Sequence, residues 1–255
     1  MPGVRFGHCH WPMQHITHLP PSELTLILLP GMDGTGSLFG PVVEALAGQC
    51  TTQVVMYPVD QAFAYAELIR FVRAALPVGQ RFLLLGESFS GPIAVSLAAE
   101  RPPGLLGLIL CCTFVRNPQP LFRPLRSLAN FIPFRNAPIA VLDYFLLGPY
   151  STPILKAALS RALSMVAPAT LQARLKAVLG VDVTEQLSTL QIPVLCLRAT
   201  HDRVVPRAAA THIQAHCPGM VLVQVEGPHC LLQASPGKTA EAILAFGRAV
   251  QRARD

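Results

Sequence analysis

Ser88 closes an apolar run and opens a helix-like one in Phe82-Leu83-Leu84-Leu85-Gly86-Glu87-Ser88-Phe89-Ser90-Gly91. A strand that turns sharply into a helix lifts the residue at its apex out of the sheet, where it can meet a substrate. A serine hydroxyl is a poor nucleophile at neutral pH. It needs a base within hydrogen-bond reach, and that base needs a third group to orient it. Two later loops supply both types. Asp202 lies in Thr200-His201-Asp202-Arg203-Val204-Val205-Pro206, just past the apolar run 194–198. His229 lies in Gly227-Pro228-His229, just past 221–226. Taken singly, each has a plainer reading: a helix-capping serine, an N-cap aspartate, a loop histidine. Serine, acid and histidine in that chain order, each following a strand, point to nucleophilic catalysis with Ser88 as nucleophile, His229 as base and Asp202 as its orienting acid.

Such chemistry also needs donors for a developing oxyanion. The glycine-rich stretch Pro30-Gly31-Met32-Asp33-Gly34-Thr35-Gly36 follows the first apolar run. Its backbone can approach a reacting carbonyl closely, and the expected donors are the N–H groups of Met32 and Phe89. The stretch lacks the Gly-Lys-Ser/Thr ending of a phosphate-binding loop and the Gly-x-Gly-x-x-Gly of a dinucleotide site, so nucleotide binding is disfavoured. The expected turn normally carries Gly two residues either side of the serine; Gly86 fits, while Ser90 takes the second place and Gly91 follows.

Other candidates are weaker. Asp33 precedes Ser88 and is expected to shape the glycine loop. Asp182 is expected to cap or link a helix. Cys111-Cys112-Thr113-Phe114 offers no acid after the fourth strand, which favours Asp202. Cys230 adjoins His229 but lacks the turn geometry of Ser88. His8-Cys9-His10 has close spacing without a zinc pattern, so no metal site is expected.

The elements that must position these residues follow a strand–helix rhythm. Strands are expected at 24–29, 52–57, 81–85 and 105–112, and helices at 38–47, 62–76 and 92–100. Prolines then break the rhythm from about 115 to 185, with apolar helical pieces at 139–147 and 171–179 between them. The rhythm resumes with a strand at 193–198, a helix at 207–216, a strand at 221–226 and a helix at 239–252. This predicts an α/β core in two parts, 1–114 and 186–255, a mostly parallel sheet flanked by helices, with a helical cap inserted at 115–185.

The chain has 255 residues, 51% of them apolar and 13% charged, which excludes a disordered chain and suits a single large core. No apolar run reaches the ~18 residues of a spanning helix, and residues 1–20 hold His8, His10, His15 and His18 in place of a secretory h-region. The expectation is a cytoplasmic protein with no transmembrane segment. Seven cysteines without a CxxC pair read as free, buried thiols. Of the net charge of +6, most falls in the cap, where Arg116, Arg123, Arg126, Arg135, Lys156, Arg161, Arg174 and Lys176 outnumber Asp143, Asp182 and Glu185. That excess reads either as a solvated helix face or as an attractor for acidic acyl carriers, coenzyme A thioesters or an anionic lipid surface. No basic run interleaved with aromatics points to nucleic acid. The cap also carries Phe114, Phe122, Phe131, Phe134, Tyr144 and Phe145 among its apolar residues, which pack it onto the core or line an apolar cleft.

From about Leu24 to Ala249 the chain resembles the α/β-hydrolase superfamily, through the Pro30–Gly36 loop, Gly86–Gly91, Thr200–Pro206 and Gly227-Pro228-His229. The first two of these also resemble a lipid-directed branch that includes plastid phytyl ester synthases. The resemblance implies an eight-stranded, mostly parallel sheet with a lid after the sixth strand, though residues 1–20 are short for the first two strands. It also implies hydrolysis of an ester or thioester with an apolar moiety through an acyl-enzyme, with no cofactor. Acyl transfer by the same triad, a methyl ester esterase acting on carrier-bound substrates and a non-catalytic binding protein remain alternatives. Dehalogenase and epoxide hydrolase chemistry would need a carboxylate where Ser88 stands.

Overall fold

The computed structural model describes residues 24–119 and 138–253. Six strands form one sheet: β1 (Thr25–Leu29), β2 (Thr51–Val54), β3 (Phe82–Glu87), β4 (Leu105–Cys111), β5 (Val194–Ala199) and β6 (Val221–Val225). All pairings are parallel, in the order β2-β1-β3-β4-β5-β6. The resemblance implied eight strands. Six are present among the described residues, which do not include 1–23.

Parallel strands need crossovers, and the crossovers place helices on both faces. Strands β1, β3 and β4 are buried at every position, which explains their unbroken apolar runs. The twofold alternation of side chains then divides each run between two cores. Ile27, Leu84, Leu108 and Cys196 face α2 (Tyr65–Ala75), α3 (Gly91–Ala99) and α8 (Arg207–His216). Leu28, Leu83, Ile109 and Leu195 face α1 (Gly40–Leu46) and the long α10 (Pro236–Arg252). Each fully buried leucine contributes about 2 kcal/mol of transfer free energy. The outer strands β2 and β6 are half exposed and carry polar residues.

Between β4 and β5 the chain leaves the sheet. Arg116 and Asp182 form an antiparallel bridge where it departs and returns. The described part of this excursion is helical: α4 (Ile139–Leu146), α5 (Pro153–Ser164), α6 (Pro168–Gly180) and the short α7 (Thr184–Ser188). Prolines at the first positions of α5 and α6 start helices, where a missing N–H costs nothing, so the proline density marks helix starts. Asp182 accepts the Thr184 N–H at 3.0 Å where the excursion rejoins the sheet, while the residue at the N-cap of α7 is Val183. Among the described residues no single helix is long and apolar enough to cross a membrane; α5 and α6 pass that test only as a pair, bent by 98°. The described cysteines are free, with Cys111, Cys112 and Cys196 buried and Cys50, Cys217 and Cys230 half-buried. The His8-Cys9-His10 group, and Arg123, Arg126, Arg135, Phe122, Phe131 and Phe134, lie outside the described residues.

Candidate active site

The turn after β3 holds Ser88 at φ 49°, a left-handed conformation that a non-glycine residue adopts only where its surroundings enforce it. Those surroundings are visible. Thr113, just past β4, donates its hydroxyl to the Ser88 carbonyl. A Cβ on Gly91 would collide with that same Thr113 side chain, so the helix can start here only with glycine. Ser90, the departure from the usual glycine spacing, is fully buried; its hydroxyl meets the Pro30 carbonyl and, at 2.7 Å, the Tyr57 hydroxyl. The second small residue of the turn thus also ties it to the glycine loop.

The structure brings Ser88, His229 and Asp202 together. Ser88 Oγ lies 2.9 Å from His229 Nε2. His229 Nδ1 lies 3.0 and 2.9 Å from the two Asp202 carboxylate oxygens. With a carboxylate on that side, Nδ1 carries the hydrogen and donates it, leaving Nε2 free to accept from the serine hydroxyl. Both side chains are almost wholly enclosed. Asp202 is itself fixed by the N–H groups of Val204 and Val205, at 2.9 and 2.8 Å. The acid and histidine loops are laced together, with the His201 N–H on the Gly227 carbonyl and the Gly227 N–H on the Thr200 hydroxyl.

The glycine loop lies beside them. Asp33 accepts the Thr35 N–H and hydroxyl at 2.9 and 2.5 Å, so it shapes the loop as its position implied. Among the described residues, neither the Met32 nor the Phe89 backbone N–H is taken up by a protein backbone acceptor. Tyr65 stacks on Phe89 with ring centroids 4.8 Å apart and donates to its carbonyl, steadying the peptide after the serine.

Arg174 requires a correction. Its place in a basic segment allowed a solvated face or a carrier-binding surface; instead it is fully buried. From α6 its guanidinium donates to the carbonyls of Met32 and Asp33, both at 2.8 Å, and of Pro58 at 2.9 Å. Burial pulls its pKa below the ordinary value, and Asp33 and Tyr57 oppose that fall. The left-handed Gly34 belongs to the same contact: a Cβ there would lie 2.5 Å from Arg174 Nη1. The arginine leaves the surface because three backbone carbonyls, and a residue with no side chain, make room for it.

The helical excursion covers the site. The cavity above Ser88 and His229 measures about 950 Å³. Leu142, Phe145 and Leu146 of α4, Leu159 and Leu163 of α5 and Leu171 of α6 line much of it. The same helices are bonded to the loops that bear the site. The Cys230 N–H donates to the Leu146 carbonyl at 3.0 Å, and the Ala167 N–H to the Val59 carbonyl at 2.8 Å. Arg203, next to Asp202, donates to the Tyr144 carbonyl at 2.9 Å and lies over the Tyr144 ring.

Sequence reasoning also missed Glu87. It is enclosed beside Ser88 and lines the cavity, and burial pushes its carboxyl up to about 7. A 3.0 Å hydrogen bond from Gln233 works against the rise, while nearby Asp33 adds to it. A charged residue at the end of a fully buried strand was the available signal.

Three kinds of comparison bear on this arrangement. The model of the family described as "Alpha/beta hydrolase family" matches residues 2–242. Compared by sequence with the curated proteins, the chain matches none. Among solved structures it is similar to a lipase-esterase related protein from Clostridium acetobutylicum ATCC 824, at 16% identity and TM-score 0.73, covering 89% of this chain and 96% of that one. It is similar to the enol-lactonase from Burkholderia xenovorans LB400, at 17% identity and TM-score 0.73, covering 87% and 90%. It is also similar to a hydrolase from Oleispira antarctica, at 15% identity and TM-score 0.74, covering 90% and 91%. At these identities the likeness is one of fold, and the family rests on the match along almost the whole sequence: the chain belongs to the alpha/beta hydrolase family.

Proposed function

We propose that the protein is a serine hydrolase that cleaves carboxylic esters with an apolar acyl group. One observation carries the reading: an unbroken relay from Ser88 Oγ through His229 to Asp202 that opens into a largely apolar cavity. His229 Nε2 takes the serine proton as Oγ attacks the ester carbonyl, and Asp202 holds the imidazole and stabilises its charged form. The Met32 and Phe89 N–H groups stabilise the oxyanion. The tetrahedral species collapses as His229 hands its proton to the departing alcohol, leaving an acyl group on Ser88. Water, deprotonated by His229, then attacks that acyl group and releases the acid. The solved relatives described as a lipase-esterase related protein and an enol-lactonase accord with hydrolysis at a carbonyl.

The test is a p-nitrophenyl ester series from acetate to palmitate, with Ser88→Ala as control. Turnover lost in the variant, with a preference for longer chains, is the expected result. A folded protein inert toward the whole series would remove the esterase reading.

A further inference from the structure

Two polar side chains stand on either side of Ser88 in the chain and take no part in the relay: Glu87 just before it and Ser90 two residues after. Both are enclosed, Ser90 completely. Both are turned to the glycine loop. The Ser90 hydroxyl donates to the Pro30 carbonyl. A hydroxyl has one hydrogen, so toward the Tyr57 hydroxyl, 2.7 Å away, Ser90 Oγ can only accept. Tyr57 therefore donates to Ser90 and Ser90 to Pro30, a chain in which each bond strengthens the next. Glu87 holds the other end of the same peptide. Its carboxylate accepts from Gln233 at 3.0 Å and from the Gly31 N–H. A Cβ built on Gly31 would lie 3.9 Å from Glu87 Oε2 and 4.0 Å from Ser88 Cβ, so this peptide lies directly beside the nucleophile.

The Pro30 carbonyl and the Gly31 N–H belong to one planar, trans peptide and point in opposite directions. That peptide is gripped at both ends from the turn that bears Ser88. The next peptide joins Gly31 to Met32. Its carbonyl accepts the Gly34 N–H at 3.1 Å, and its N–H is the oxyanion donor of the proposed reaction. Glycine torsions are permissive, so Gly31 does not itself fix the angle between the two planes; the bonds on either side must. We infer that, given the serine hydrolase reading on which this rests, Ser90 and Glu87 are positioning residues that hold the Pro30–Gly31 peptide so that the Met32 N–H meets the oxyanion formed at Ser88. Glycine at position 90, the usual occupant of that place in the turn, would keep the turn and lose half of the grip.

The experiment measures kcat and KM for p-nitrophenyl octanoate, and inhibition by octyl trifluoromethyl ketone, in Ser90→Ala, Ser90→Gly, Tyr57→Phe, Glu87→Leu and Glu87→Gln proteins. Ser88 Oγ adds to the ketone carbonyl carbon while its proton passes to His229, and the oxyanion so formed needs the same donors as the ester intermediate. Ser90→Ala and Ser90→Gly should lower kcat about tenfold or more with KM within about twofold, and should weaken the ketone by a similar factor. Tyr57→Phe should act in the same direction and less. Glu87→Leu should match Ser90→Ala, and Glu87→Gln, which keeps an acceptor for the Gly31 N–H, should recover part of the loss. Native kcat in the folded Ser90 variants or in Glu87→Leu, or a loss that lies in KM alone, would overturn the positioning role and leave the hydrolase reading intact. A native protein that turns over no ester yet binds the ketone, more weakly in Ser90→Ala, would uphold the role and remove that reading. A native protein inert to both ester and ketone would remove both.

Discussion

The strand ends and the helices above them are built on different terms. At the strand ends, each candidate catalytic residue stands within a few positions of the end of a strand, buried for Ser88 and Asp202 and half exposed for His229, and hydrogen bonds fix its loop. The helical excursion contributes cavity wall and is held by a few long-range bonds: Arg174 to the glycine loop, Arg203 to Tyr144, Cys230 to Leu146. Two of those bonds start one residue from Asp202 or His229. The first region can set reacting atoms within tenths of an ångström, because the whole sheet supports it. The second can change shape and lining more freely, yet it is registered against the loops that bear Asp202 and His229.

If that division holds, the largest effects come from the strand ends. Ser88→Ala should lower kcat for p-nitrophenyl esters by on the order of 10⁴-fold or more with the melting temperature nearly unchanged. Asp202→Asn should cost about 10³- to 10⁴-fold, since the amide cannot hold the imidazole in the productive tautomer. A loss of only a few-fold would mean that His229 is oriented by something else.

The bonds between the two regions come next. Arg174→Met leaves three carbonyls without their donor and should destabilise the fold by about 3 kcal/mol, read by urea denaturation. It should also lower kcat about tenfold by loosening the Met32 peptide, and Arg174→Lys should restore part of that. Unchanged kcat in a folded Arg174→Met protein would show that the glycine loop holds itself.

Glu87 gives a smaller, pH-dependent effect. Its folded-state pKa, about 7, is raised from 4.5 by burial, so ionising it opposes folding. Its protonated form supports the fold at low pH, and that support is lost as pH rises through about 7. Glu87→Gln should therefore gain stability over the native protein, little at pH 5 and about 2–3 kcal/mol by pH 8. A gap that does not widen with pH would place the titration elsewhere. The smallest effect belongs to the outer face of the cap: Ile154→Ser, at a side chain 80% exposed and off the cavity wall, should shift stability by no more than about 0.5 kcal/mol and leave KM alone.

Legibility in the sequence followed the same division. That Ser88, Asp202 and His229 come together was legible because their neighbours in the chain create the geometry: a strand before each, and small residues where the backbone crowds. The strand and helix rhythm was readable because burial on both faces leaves unbroken apolar runs such as Leu26–Leu29. Arg174 was not readable. Its partners are carbonyls 116 to 142 positions away, and carbonyls have no residue type. Glu87 and Gln233 were hidden for the same reason, since an acid and an amide 146 positions apart show no periodicity. The basic excess of the cap misdirected the reading at Arg174, because a count of charges does not say which of them point inward.

The bridge between Arg116 and Asp182 has a consequence for how such molecules diversify. Flanking it, the Val183 N–H reaches the Val115 carbonyl at 2.7 Å and the Asn117 N–H the Val181 carbonyl at 3.0 Å. Opposite Cα atoms in an antiparallel pair stand about 4.5–5.5 Å apart, a gap that a tight turn spans. The excursion thus leaves and rejoins the sheet at one place, while Arg174, Ala167, Leu146 and Tyr144 tie its described part to the loops beneath. A transplanted segment that kept the Arg174 contacts to the glycine loop would leave every rung of the sheet in place, and with it the serine, the histidine and the aspartate. Selectivity could then be inherited, lost or grafted without rebuilding the machinery beneath.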